Sequence, residues 1–122
     1  MLTPLGPMTA TENQERRDTD RQPLPGSVRL IVLSEEDQPI MERHGEGVNI
    51  TAEGLAVSVR IPLALGTRMV VCFEVPHGRA VWHVRVVHVL HHEHHRILGL
   101  KRLEVPESLA NAQWIRTLSA LT

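Results

Sequence analysis

Tyrosine is absent from this 122-residue chain, and Phe73, Trp82 and Trp114 are its whole aromatic set. Stacking platforms for single-stranded nucleic acid need more π-faces than that. Charge of one sign is lacking too. The 13 lysines and arginines nearly cancel the 14 carboxylates, leaving a formal net charge of −1. That excludes a general electrostatic grip on DNA or RNA, which needs a basic surplus. The single cysteine, Cys72, excludes an intrachain disulfide. It lies within Val70-Val71-Cys72-Phe73, where a thiol reads as a small buried hydrophobe. No apolar run approaches a membrane span, and residues 1–14 lack the basic start and apolar middle of a signal peptide. A cytoplasmic protein without membrane insertion is expected. Catalytic motifs are missing as well: there is no Gly-x-Ser-x-Gly, no phosphate loop and no His-Glu-x-x-His. An enzyme is not expected.

What is present is a β pattern. The length suits one domain with one core, and the 42% hydrophobic share is ordinary. Residues 1–15, with Pro4, Gly6 and Pro7, show no apolar periodicity and read as a flexible lead-in. The ordered domain is expected over 16–122. Ser27 onward reads as a strand buried on much of both faces. Glu35 to Pro39 reads as a polar turn ending at a proline stop. Met41 to Ile50 is a weaker strand, with a bulge or bend expected at Gly45 and Gly47. Leu55, Val57 and Val59 alternate with Ala56, Ser58 and Arg60 in a third strand. Arg68 to Val75, Arg79 to Leu90 and His95 to Leu103 complete six. The period then changes: Leu109, Ala112, Ile115, Leu118 and Leu121 recur every three residues, with Trp114 beside them. This predicts one C-terminal helix, with Pro106 in its first turn and Ser108 as a cap. Six evenly spaced strands and a helix imply an all-β fold with a minor α part, a barrel or sandwich.

Two short stretches carry the functional signal. Arg16-Arg17-Asp18-Thr19-Asp20-Arg21 closes the polar N-terminal segment. Asn49-Ile50-Thr51-Ala52-Glu53-Gly54 joins two strand candidates. Taken alone, the first reads as solvated charge and the second as an ordinary turn. Together, on this β-then-helix layout, they resemble the paired signature of the PilZ domain, Arg-x-x-x-Arg followed by Asp/Asn-x-Ser-x-x-Gly. Arg17 and Arg21 meet the first half; Asn49, Thr51 and Gly54 meet the second, with threonine where serine is usual. The resemblance covers roughly residues 16 to 121.

The resemblance implies a six-stranded antiparallel Greek-key barrel with a helix packed at one end. It also implies a receptor for the bacterial second messenger cyclic di-GMP, which needs no other cofactor. Arginine forks suit phosphate and the O6/N7 edge of guanine, and their planes stack on bases. Asn49 offers donor and acceptor, Thr51 a hydroxyl, and Gly54 a close backbone approach or a positive φ. Arg16, preceding the motif, implies a stacked pair of ligand molecules. Ligand binding would order the arginine arm and signal to a protein partner controlling motility, pili, or exopolysaccharide and biofilm output. Two other readings remain open: a ligand-free PilZ-like interaction module, and a small metal-binding protein centred on His91-His92-Glu93-His94-His95. Imidazoles bind transition metals, but neighbouring residues on a strand point to opposite faces, so a solvated turn is favoured for the cluster.

Overall fold

The computed structural model describes residues 21–120. A two-residue strand, β1 (Gln22–Pro23), precedes β2 (Ser27–Leu33), β3 (Pro39–Ile50) and β4 (Gly54–Val59). Then follow β5 (Arg68–Val75), β6 (Gly78–His91) and β7 (Arg96–Leu103). Two short helices end the fold, α1 (Glu107–Ala110) and α2 (Gln113–Ala120). All strand pairs are antiparallel. The order β3-β2-β5-β6-β7-β4 closes because β4 also pairs with β3, so six strands form a barrel with no open edge. The Greek-key crossover is the segment 60–67 between β4 and β5. It spans one end of the barrel and buries Leu63 there. Backbone bonds between Gly66 and Val86 and between Val86 and Thr67 pin it.

Alternation explains why β2 and β5 are apolar on both faces. Val28, Leu30 and Val32 point into the barrel with Met69, Val71 and Phe73 of β5, joining Val57, Val84 and Leu98. Ile31 and Leu33 point outward with Val70 and Cys72, and this outer wall is covered by Leu109 and Leu118 of the helices. The helices therefore cover a side wall rather than an end of the barrel. Burial pushes the Cys72 thiol pKa up, in keeping with an inert thiol.

Local departures from the sequence expectations have physical causes. Pro39 does not stop a turn; it opens β3 opposite Leu33, at a strand's first position, where a missing N–H is tolerated. The turn before it is held by the Ser34 hydroxyl, which accepts from the Glu36 and Gln38 amides, and by Asp37 at φ 64°. β7 begins at Arg96, one residue after His95. The single helix is two, broken at Asn111–Ala112, where Asn111 caps α1. Ser108 is no cap: Pro106 holds that position and offers no side-chain bond. Leu121 and the lead-in 1–15 lie outside the described residues. No helix among the described residues is long and apolar enough to cross a membrane.

A polar brace ties the turn after β2 to the barrel. Arg68 pairs with Asp37 at 2.5 Å and donates to the Ser34 carbonyl at 3.0 Å. His83, only 6% exposed, holds the Glu104 carbonyl at 2.8 Å through Nδ1. With Nδ1 donating, its Nε2 is left as the acceptor for Arg68 Nη1, 3.4 Å away.

Candidate functional site

The Asn49–Gly54 stretch is the hairpin from β3 into β4. The Thr51 amide donates to the Gly54 carbonyl at 2.9 Å, leaving Ala52 and Glu53 as an exposed two-residue tip. The Thr51 hydroxyl works inside this turn. It accepts from the Glu53 amide at 3.2 Å and lies 3.4 Å from the Gly54 carbonyl. A side-chain oxygen two residues before an amide is the usual brace of such turns, and serine and threonine serve alike.

Gly54 is needed for close approach. It lies across Lys101 in the β4–β7 ladder, and a Cβ there would run into the Leu100 carbonyl oxygen. Its φ is not positive, so of the two expected reasons for glycine, close approach is the one that applies. What approaches is the protein's own strand. The Arg102 amide donates to the Glu53 carbonyl at 2.8 Å, fastening the tip to β7.

The expected bulge in β3 falls between Gly47 and Asn49. Gly45 and Gly47 lie within the strand; a side chain at Gly47 would strike the Leu24 carbonyl. Past the bulge, Asn49 is half-buried, opposite Ala56 of β4 and Pro23 of β1. Its side-chain amide makes no hydrogen bond to another described residue.

The chain from Arg21 to Gly26 runs antiparallel along this end of β3. Gln22 faces Ile50 and Pro23 faces Asn49. The Leu24 amide donates to Val48 and the Gly47 amide to Gly26. The ladder ends at Gln22 and Ile50, and Arg21 immediately precedes it. Of the expected site residues, Asn49, Thr51 and Gly54 thus share one hairpin, and Arg21 lies one residue before the strand that pairs with its β3 side. Arg16 and Arg17 lie outside the described residues.

Sequence reasoning missed the contribution of β7. A shallow groove of about 550 Å³ beside the hairpin tip is lined by Ala52, Glu53, Lys101, Arg102 and Val105. The Arg102 guanidinium lies over the Trp82 ring at 4.1 Å, and Trp82 meets Phe73 edge-on at 5.2 Å. The adjacent Lys101-Arg102 pair was the available signal, but only the β4–β7 pairing puts it beside the turn.

The histidine cluster is the hairpin joining β6 to β7. His92 and His95 stack at 4.8 Å, and the His92 amide donates to the His95 carbonyl. Among the described residues no group of three or more His, Cys, Asp or Glu side chains is placed to share a metal ion.

The closed six-stranded Greek-key barrel with its β3–β4 motif hairpin is a PilZ-type fold. A similar solved structure is the PilZ domain with c-di-GMP of YcgR from Escherichia coli. The likeness has a TM-score of 0.53, covers 83% of this chain and 87% of that one, and comes with 12% sequence identity. At that identity it establishes the fold. No family model and no curated protein sequence matches the chain.

Proposed function

We propose that the protein is a non-catalytic, cytoplasmic receptor for cyclic di-GMP. The ligand sits between an N-terminal arginine arm and the β3–β4 hairpin. The observation that supports this reading is the β1–β3 ladder, in which Gln22, the residue after Arg21, faces Ile50 and Pro23 faces Asn49. Arg17 is four residues before Arg21, a reach of at most about 14 Å of extended chain. Both motif arginines are therefore within range of one ligand at this hairpin. Their guanidiniums bind phosphate and guanine, while the uncommitted amide of Asn49 offers a donor and an acceptor. Thr51 and Gly54 serve by shaping the hairpin. The solved c-di-GMP complex of a domain with the same fold supports the same ligand class here.

Ligand binding orders the arm through residues 16–21 against the barrel and changes the surface offered to a protein partner. That partner acts in motility, pili or exopolysaccharide output. Arg16 provides for a second, stacked ligand molecule. A thermal-shift titration tests the reading. The melting temperature should rise with cyclic di-GMP and not with cyclic di-AMP, whose adenine N6 donates where guanine O6 accepts. An unchanged melting temperature at saturating cyclic di-GMP overturns it.

A further inference from the structure

The opposite end of the β3–β4 hairpin carries a different concavity. A groove of about 390 Å³ opens between the middle of β3, the end of β4 and the β6–β7 hairpin. Arg43 lies six residues before Asn49 on β3, about 20 Å along the strand. The groove is therefore remote from the motif hairpin and shares no lining residue with it.

Its lining is cationic and hydroxylic. Arg43 and Arg60 contribute guanidiniums, Ser58 a hydroxyl, and His44, His94 and His95 imidazoles. Neither arginine has a carboxylate within ion-pair reach among the described residues. Among the described residues, Arg43 donates to the Glu42 backbone carbonyl at 2.7 Å and to no other group, and Arg60 has no hydrogen bond or ion pair. Three carboxylates lie near. Glu42 is clamped by Arg29 through two bonds of 2.9 Å and also reaches His44 at 3.5 Å. Glu93 is at the hairpin tip, 3.9 Å from His94. Glu46 is the one carboxylate in the lining itself. The wall formed by the histidine hairpin is prearranged by the stacking of His95 on His92.

Ile61 adds an apolar surface between these polar groups, with the buried Val59 at its base. A bare phosphate would fill only part of the volume. Guanidinium forks, imidazole N–H groups and a hydroxyl grip a phosphoryl group well, and an apolar strip beside them accepts the group it is esterified to. We infer that this groove is a second anion site, which takes a phosphomonoester bearing a small apolar or aromatic group. Arg43 and Arg60 hold the phosphoryl oxygens, and Ile61 contacts the organic part. The site does not depend on the cyclic di-GMP reading.

The test is a backbone-amide NMR titration of the full chain in a phosphate-free buffer. Inorganic phosphate, phenyl phosphate and phenol are the probes. Saturable shifts centred on Arg43, Ser58, Arg60, His94 and His95 are expected with both phosphates and not with phenol. Phenyl phosphate should bind several-fold more tightly than inorganic phosphate. Arg43→Gln and Arg60→Gln should each weaken it about tenfold, the loss of one charge-assisted contact, at an unchanged melting temperature. Glu46→Gln should strengthen it. Shifts that do not saturate, that spread equally to Arg79 and Arg85, or that survive Arg43→Gln/Arg60→Gln overturn the site. Equal affinity for phosphate and phenyl phosphate overturns the phosphomonoester assignment.

Discussion

Pro23 faces Asn49 across the β1–β3 ladder. This short pairing joins two sequence motifs that stand almost thirty residues apart. It runs the segment after Arg21 antiparallel along the end of β3 that leads into the motif hairpin. The glycine at 47 makes the approach possible, because the Leu24 carbonyl occupies the space a side chain would need.

Gly54→Ala should destabilise the barrel rather than merely weaken a ligand contact. The added methyl meets the Leu100 carbonyl, a backbone atom that cannot move without opening the β4–β7 ladder. Forcing it in should cost about 1–3 kcal/mol. Chemical denaturation checks this; a Gly54→Ala protein as stable as the parent would contradict the close-approach role.

Thr51→Ser should preserve the hairpin, and Thr51→Val should not. Serine keeps the oxygen that accepts the Glu53 amide, whereas valine removes it. The loss should be about 1 kcal/mol. Parallel denaturation curves decide it: equal stability of the valine variant would show that the hydroxyl does not brace the turn.

These two positions show what was legible in the sequence and what was not. The strands were legible because alternation is local, and β2 revealed its double burial through five apolar residues among the six from Val28 to Leu33, broken only by Arg29. The motif hairpin was legible because glycine between strand candidates signals a turn or a close approach. Which of the two applied required the neighbour, and Leu100 is 46 residues away. The β1 strand is two residues long and half proline, too short for any period to mark it. Period-three spacing ran through Ala112 without revealing that Asn111 would cap one helix and start a corner. Nothing local to Lys101 and Arg102 marks them as neighbours of the hairpin, because only the β4–β7 pairing sets them beside it.

His83→Leu should lower stability by about 1–3 kcal/mol despite being apolar and near in volume. It leaves the Glu104 carbonyl without its partner and removes the acceptor facing Arg68. His83→Gln, which offers both a donor and an acceptor, should recover part of the loss. Denaturation midpoints of the two variants check this, and a leucine variant as stable as the parent would contradict the brace.

Glu42→Gln should destabilise the protein modestly, and only above the acid range. The Arg29 hydrogen bonds and charge hold the Glu42 carboxyl pKa below its ordinary value. A depressed carboxyl pKa contributes stability that is present above the unfolded-state value and is lost as pH falls through the folded one. The pair is partly exposed, with the Glu42 side chain 42% accessible, so about 0.5–1 kcal/mol is expected at neutral pH. The gap between parent and variant should close as pH falls through the ordinary glutamate range and below it. A gap that is independent of pH would contradict the ion-pair origin.

Isothermal titration of the full chain with cyclic di-GMP tests the receptor reading most directly. Binding in the low-micromolar range or tighter is expected, on the order of −8 kcal/mol. Arg17→Ala and Arg21→Ala, each checked for an unchanged melting temperature, should each cost about 1.5–3 kcal/mol of that. Arg16→Ala should lower the stoichiometry from two ligands per chain. No heat at high ligand concentration, or arginine variants that fold normally and bind as tightly as the parent, would contradict a cyclic di-GMP site at this hairpin.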